Sequence, residues 1–165
     1  MYLYVLDTIM IILGCDVGSR NWGYCIAEIT KDKKEILEKG HWYLSEPNIQ
    51  DRLYNLEKSL SSLILEYGVD TLALEAPYMK NSKAAMDMYF CTAINVLLAA
   101  KYELPLHRYS AAEVKKFTTG TGKAEKIHIQ KSVTEFFNLE EKFKDSHSAD
   151  ACAVCITCFN KESVN

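Results

Sequence analysis

The sequence predicts an α/β fold in which a five-stranded mixed sheet is flanked by helices. Two features predict it: short apolar, β-branched segments alternate with longer segments of helical periodicity, and three strand-like segments precede the first helix. With 165 residues, 48% of them hydrophobic and 25% charged, the chain has the size and composition of one globular domain. We therefore treat residues 1–165 as a single domain. Residues 1–9 are a candidate N-terminal extension, because Met10 could be an alternative start.

The first three predicted strands follow one another closely in the chain. The segment Ile11–Asp16 is apolar and β-branched up to its final carboxylate, and Gly18 allows a tight turn after it. A second strand over Trp22–Ile29 then makes the pair a hairpin. A charged turn at residues 31–35 leads to a third strand over Gly40–Leu44.

Helical periodicity dominates the middle of the chain. Apolar residues recur at steps of three and four in an amphipathic helix over Ile49–Tyr67, which Gly68 is placed to end. An apolar strand over Val69–Glu75 ends in a carboxylate, as the first strand does. A long helix over Asn81–Lys101 has an apolar middle, and a short strand over Leu104–Tyr109 completes the predicted sheet.

Helices fill the remainder of the chain. Ser110 is placed to cap the N-terminus of a helix, and Glu113 completes a capping box with it. The loop of residues 118–123 leads to a helix that ends near Phe137, and a last helix covers Ser146–Cys158.

The cysteines bear on the cellular compartment. Six cysteines without a secretory signal predict reduced thiols and a cytoplasmic location. Cys152, Cys155 and Cys158 have a spacing that could hold a metal ion, but the segment around them is apolar, so we expect them to be small core residues. No apolar run approaches the roughly 18 residues that a membrane span needs, so no membrane partner is predicted.

Two of the predicted strands end in carboxylates. The strand ending at Asp16 and the strand ending at Glu75 can lie side by side and parallel, which brings both carboxylates to one edge of the sheet. Asp16 alone could instead bond the backbone of Gly18 or Ser19 in an Asx-type turn. The coincidence of two such carboxylates favours a functional pair. Carboxylate oxygens suit Mg²⁺, for which Mn²⁺ can substitute.

The start of the last helix offers further ligands. His147 and Asp150 are three residues apart and share one helix face, whereas Asp145 is more simply a capping residue. His147 alone would be an ordinary surface or capping histidine, and its pairing with Asp150 makes it a candidate ligand or acid–base group. The predicted catalytic residues and metal ligands are Asp16, Glu75, His147 and Asp150. Such a set around two divalent ions suits displacement at phosphate, and repulsion among three carboxylates itself predicts metal dependence.

The net charge of −3 gives little support for a nucleic-acid partner, but basic residues cluster between Lys101 and Lys131. That tract holds seven basic and three acidic residues. It is compatible with binding to a phosphate backbone, but a solvated helix face is the more common explanation of such a tract. The charge pattern alone therefore favours the solvated helix face.

Four blocks of the sequence carry a resemblance to a known family. They are Ile12–Tyr24, Leu74–Asn81, the pair Ala112–Lys116 and Gly120–Lys126, and Ser148–Ala153. In this order they resemble the RuvC-type Holliday junction resolvases of the RNase H-like superfamily. The resemblance implies an RNase H-like fold and a metal-dependent endodeoxyribonuclease that resolves four-way DNA by paired symmetric nicks, in recombination and repair.

The resemblance also implies roles for individual residues. Asp16, Glu75 and Asp150 match the family's catalytic carboxylates, and His147 stands where the family has either Asp or His. Tyr78 matches an aromatic residue that wedges into the junction and keeps a face on which bases can stack. Family lysines that contact DNA match Lys115 and Lys126. The basic residues near Tyr78 and near these two lysines extend the expected DNA-binding set. The expected DNA-binding residues are Tyr78, Lys80, Lys83, Lys115, Lys116, Lys123 and Lys126.

The quaternary structure implied by the resemblance is a homodimer. A four-way junction offers two equivalent cutting positions, which a two-fold symmetric protein can engage together. We expect the helix over Asn81–Lys101 to form part of the dimer contact. The sequence leaves open whether a branch-migration motor is a partner and whether the enzyme is chromosomal or viral.

Three other functions compete with this one. An ATP-handling protein of the sugar-kinase and actin type also carries an Asp-x-Gly turn, but 165 residues leave no room for its second lobe. A nuclease acting more broadly on branched DNA or RNA would share the fold and the chemistry. A junction-binding module that does not cut is disfavoured, because all four candidate ligands are present.

Overall fold

The structure is a computed structural model that describes residues 9–77 and 83–162, with side chains from residue 85 onward in the second range. The strands are β1 (Met10–Asp16), β2 (Asn21–Ile29), β3 (Lys34–Tyr43), β4 (Thr71–Glu75) and β5 (Leu106–Tyr109). The helices are α1 (Ile49–Tyr67), α2 (Lys83–Lys101), α3 (Ala111–Thr119), α4 (Lys126–Phe136) and α5 (Ser146–Glu162). Within these ranges no helix combines the length and the apolar character that a bilayer span requires.

The five strands form one mixed sheet in the order β3-β2-β1-β4-β5. The β1–β2 and β2–β3 pairs are antiparallel, whereas β4 lies parallel to both β1 and β5. Cys15 is the register partner of Leu74, so the next residues, Asp16 and Glu75, leave the sheet at the same edge. The predicted α/β class, the mixed sheet and the parallel pairing of the two carboxylate-ending strands are therefore confirmed.

Each face of the sheet carries its own apolar core. Leu13 and Leu72 pack under α1 and α2, whereas their neighbours Ile12 and Ala73 pack under the three C-terminal helices. This split follows from the strand repeat of two residues, which sends successive side chains to opposite faces. Asp16 belongs to the same alternate set as Ile12 and therefore faces the C-terminal helices.

Helix α5 crosses the sheet at very short range. A Cβ atom added at Gly14 of β1 would collide with the Ala151 carbonyl and the Cys155 sulfur, so only glycine allows this approach. Cys152, Cys155 and Cys158 are fully buried, which confirms their prediction as core residues. The close packing of α5 on β1 brings the first turn of α5 to the edge of the sheet where Asp16 lies.

The element bounds mostly match the sequence-based prediction. Helix α1 has the predicted bounds, with Gly68 in the left-handed conformation at its C-terminus, and Ser110 forms the predicted capping box at α3. Strand β3, however, begins at Lys34 rather than Gly40. The expected charged turn at residues 31–35 is therefore wrong for Lys34 and Glu35, which belong to the strand. As an edge strand, β3 carries charges that a central strand would not tolerate, and these charges resemble a turn in the sequence.

Candidate active site

The ends of β1 and β4 open into a depression of about 460 Å³ at one edge of the sheet. Asp16 and Glu75 line it from the strand ends, Met88 of α2 closes one side, and Ser110 and Ala111 close the other at the start of α3. The two carboxylates predicted to share a sheet edge therefore also share a concave site. Elements from both faces of the sheet contribute to its walls.

His147 makes a direct hydrogen bond with Asp16. The distance from Nδ1 of His147 to Oδ2 of Asp16 is 2.7 Å, and both side chains are about one quarter to one third exposed, at 34% and 22%. A carboxylate oxygen accepts hydrogen bonds, so the neutral ring that donates to it carries its proton on Nδ1. Nε2 of His147 is then left with a free lone pair for a proton or a metal ion.

The rest of the first turn of α5 positions Asp150. Asp145 accepts hydrogen bonds from the backbone N–H and the hydroxyl of Ser148, at 2.7 and 2.8 Å, so it caps the helix as predicted. Burial and the nearby charge of Asp16 raise the pKa of Asp150 to about 6, against the opposing charge of Lys126. The Lys126 ammonium lies 3.8 Å from a carboxylate oxygen of Asp150.

Glu75 has the most strongly perturbed carboxyl group of the site. Burial raises its pKa to about 7, and the charges of Asp16 and Asp150 add to the effect, whereas Lys115 and Lys126 oppose it. The charge of Asp16 therefore raises the pKa of both Glu75 and Asp150, and the charge of Asp150 raises the pKa of Glu75. A bound cation would relieve this repulsion.

A buried arginine supports the turn that follows Asp16. Arg52 of α1 is only 2% exposed, and it donates to the Ser19 carbonyl at 2.9 Å and to the Glu46 carbonyl at 3.4 Å. It also pairs with the Asp87 carboxylate of α2 at 3.3 Å. Sequence reasoning missed this residue, although a charged side chain four positions before Leu56 on the apolar stripe of α1 is the signal that could have found it.

The family model of the crossover junction endodeoxyribonuclease RuvC matches residues 12–158 of this chain. The chain belongs to the RuvC family. Its relatives include RuvC of Citrifermentans bemidjiense, 32% identical over 158 residues that cover 94% of this chain and 96% of the relative. RuvC of Pasteurella multocida is 33% identical over 148 residues, which cover 89% of this chain and 77% of the relative.

A solved structure of RuvC shares the fold. Thermus thermophilus RuvC, in complex with a Holliday junction substrate, superposes with a TM-score of 0.87 at 19% identity, covering 94% of this chain and 96% of the other. The match confirms the predicted RNase H-like fold.

Whether this site can bind a metal ion depends on its carboxylate oxygens and its imidazole nitrogen. RuvC-family nucleases depend on metal ions in general. Within residues 9–77 and 83–162, no group of three or more His, Cys, Asp or Glu side chains is arranged closely enough to hold an ion as it stands. The donor types nonetheless suit a hard divalent cation, because they are carboxylate oxygens and one imidazole nitrogen, and a cation would relieve the repulsion between the carboxylates.

The predicted DNA-binding residues divide into three groups. Lys115 and Lys126 act electrostatically on Glu75, where their charges oppose the rise in its pKa. Lys116 and Lys123 are exposed on α3 and on the loop after it. Tyr78 and Lys80, together with the side chain of Lys83, lie outside the described residues.

Proposed function

We propose that this protein is a metal-dependent endodeoxyribonuclease that resolves Holliday junctions. The proposal is supported by the hydrogen bond between His147 and Asp16 and by the electrostatic effects among Asp16, Glu75 and Asp150 in a RuvC-family chain. Relatives at 32 and 33% identity carry the name of crossover junction endodeoxyribonuclease. Phosphodiester hydrolysis in DNA recombination and repair is the reaction that this set of groups suits.

Three carboxylates and one histidine would hold the metal. Asp16, Glu75 and Asp150 offer oxygen ligands from two strands and a helix, and His147 offers Nε2 because its Nδ1 is bonded to Asp16. Two Mg²⁺ ions, or Mn²⁺ in their place, would supply an activated water and stabilise the leaving 3′-oxygen. With its pKa raised to about 7, Glu75 of the metal-free enzyme holds a proton below about pH 7, and an ion that binds there displaces it.

A basic border beside the site fits a DNA partner. Lys115 and Lys126 flank the carboxylates, and Lys116 and Lys123 extend the positive charge along α3 and its following loop. Phosphate contacts of this kind position a duplex without reading its sequence. The complex of Thermus thermophilus RuvC with a Holliday junction supports four-way DNA as the partner here.

A homodimer would pair two such sites. Five of the exposed residues of α2 follow alternating steps of four and three, which is the spacing of a coiled-coil seam, and exposed Val96 lies beside them. The five are Met86, Phe90, Ala93, Leu97 and Ala100. Met86, Phe90 and Leu97 are 60%, 46% and 55% exposed, which is unusual for large apolar side chains at such spacing. Two copies joined through this face would cut opposing strands symmetrically.

The proposed location is the cytoplasm. All six cysteines are free thiols, and each is buried, as suits a reducing compartment. A branch-migration motor would be an additional partner, and the residues described here carry no feature that selects one.

The experiment that tests the proposal is cleavage of a labelled synthetic four-way junction, beside linear duplex, flap and RNA–DNA hybrid substrates, with Mg²⁺, Mn²⁺ or EDTA. Paired nicks at symmetric positions, confined to the junction and absent in EDTA, are expected. Equal cutting of flaps would point to a broader debranching nuclease. Tight junction binding with no cutting in either ion would contradict an enzymatic role.

A further inference from the structure

The pairing register of the sheet places a second histidine beside the candidate site. Asp16 of β1 pairs with Gly23 of β2, and Gly23 pairs with His41 of β3. These three residues form one row across three strands, and paired residues direct their side chains to the same face. Asp16 and His41 therefore stand on the face covered by α5, with an empty glycine position between them.

His147 occupies the space above that glycine. A Cβ atom added at Gly23 would collide with the carbonyl oxygen of His147, so the start of α5 rests directly on the backbone of β2. On one side, the His147 ring bonds Asp16 at 2.7 Å. On the other side, it stacks on the ring of His41, with 4.8 Å between ring centroids and 25° between planes.

His41 is itself held in place. Its Nε2 atom lies 3.1 Å from Oδ1 of Asn21, a residue of the neighbouring strand. The amide oxygen accepts a hydrogen bond, so Nε2 of His41 carries the proton that it donates. That bond fixes the ring orientation of His41 and thereby presents a flat face to His147.

We infer that His41, oriented by Asn21, is a positioning residue that holds the His147 ring with Nδ1 toward Asp16, which leaves Nε2 for the proposed role of that histidine. The imidazole ring of a histidine rotates readily about the Cβ–Cγ bond. A hydrogen bond at one ring nitrogen alone still leaves the ring free to tilt. Stacking on His41 removes that tilt. The inference rests on the proposed function for its catalytic consequence, whereas the ring orientation stands on geometry alone.

The catalytic arm of the test is single-turnover junction cleavage. His41→Ala removes the stacked face, and His41→Phe keeps it. We expect His41→Ala to lower the cleavage rate about 10- to 100-fold, the scale of a misplaced catalytic group, with junction affinity unchanged. His41→Phe should restore most of the rate. His107→Ala is the matched control. His107 is also a histidine of the sheet with a stacked ring, but it lies in β5, stacks on Tyr109 and pairs with Glu162.

A double-mutant cycle separates positioning from general stability. The second variant is His147→Asp, because the family has either Asp or His at this position. The aspartate has no ring on which His41 could stack. In the His147→Asp background, His41→Ala should cause no further loss of rate. Equal losses in both backgrounds would overturn the inference, since His41 would then act through the fold.

A spectroscopic arm needs no catalysis. In metal-free protein, the ring ¹⁵N signals of His147 should show one tautomer with the proton on Nδ1. We expect His41→Ala to average the two tautomers, and His41→Phe and His107→Ala to leave the wild-type pattern. Unchanged His147 signals in His41→Ala would overturn the inference. If wild-type protein does not cut junctions, the proposed function fails, and this arm still decides the positioning role.

Discussion

The raised pKa of Glu75 predicts that the candidate site destabilises the metal-free protein. Burial first, and then the charges of Asp16 and Asp150, raise this pKa from 4.5 to about 7. A carboxyl group whose pKa is raised by folding stabilises the native state below its unfolded pKa. That contribution is lost as the pH rises through the folded pKa. The loss therefore falls between about pH 4.5 and pH 7.

The perturbation that exposes this effect is Glu75→Gln, which keeps the shape and removes the charge. A shift of one pKa unit corresponds to about 1.4 kcal/mol. The full shift would thus be about 3 kcal/mol, and partial solvent screening reduces the expected gain to about 1–3 kcal/mol. At 2–4 °C per kcal/mol for a domain of this size, the variant should melt roughly 2–12 °C higher at pH 8 in EDTA.

The assay is thermal and urea unfolding of both proteins at pH 5 and pH 8. At pH 5 the folded wild type already holds the proton on Glu75, so most of the difference should vanish. Adding Mg²⁺ at pH 8 should stabilise the wild type more than Glu75→Gln, because only the wild type keeps the full ligand set. Glu75→Gln should meanwhile lose junction cleavage.

Glu113→Gln is a matched control with the opposite sign. Hydrogen bonds from Lys161 and Ser110 lower the pKa of Glu113 to about 2, so its charge stabilises the fold above about pH 4.5. That variant should be less stable than the wild type at both pH values. The reasoning would be refuted if Glu75→Gln gave no stabilisation at pH 8, or the same stabilisation at both pH values.

Three further predictions concern DNA, assembly and packing. Lys126→Ala should weaken junction binding and reduce the slope of log affinity against log salt concentration by about one. Lys58→Ala, which changes an exposed lysine of α1, should alter neither the affinity nor the slope. An unchanged slope in Lys126→Ala would show that Lys126 does not contact phosphate. Leu97→Glu should give monomers in analytical ultracentrifugation, whereas Leu65→Glu should not, although Leu65 of α1 is even more exposed than Leu97; a stable Leu97→Glu dimer would exclude the α2 face. Gly23→Ala should cost about 1–3 kcal/mol of unfolding free energy by overpacking α5, and normal stability would contradict the close contact.

Much of the fold could be predicted from the sequence, because short-range pattern and chain order determine it. The apolar strands ending at Asp16 and Glu75 are read directly from β-branched runs, and their parallel pairing follows from the intervening helix. Helix α1 and the capping box at Ser110 depend on local spacing alone. Those features are therefore correct to the residue or close to it.

What the sequence could not predict depends on register between distant strands. His41 faces Gly23 only because of how β2 and β3 pair, and a register shift between Ile26 and Ala27 changes that pairing along the strands. No pattern in the sequence around His41 predicts that its ring stacks on His147 of α5. Arg52 is similar, since its burial depends on where the turn at Ser19 meets two helices.

The central claim is that the edge of the sheet holding Asp16 is the catalytic centre of a junction resolvase. Its most direct test is single-turnover cleavage and binding of a four-way junction by Asp16→Asn, with Asp32→Asn in an exposed turn as control. We predict that Asp16→Asn loses at least about 100-fold in rate, as expected when metal-mediated charge stabilisation is removed, while junction affinity stays within a factor of about two. Asp32→Asn should match the wild type. Cleavage by Asp16→Asn at the wild-type rate would contradict the account.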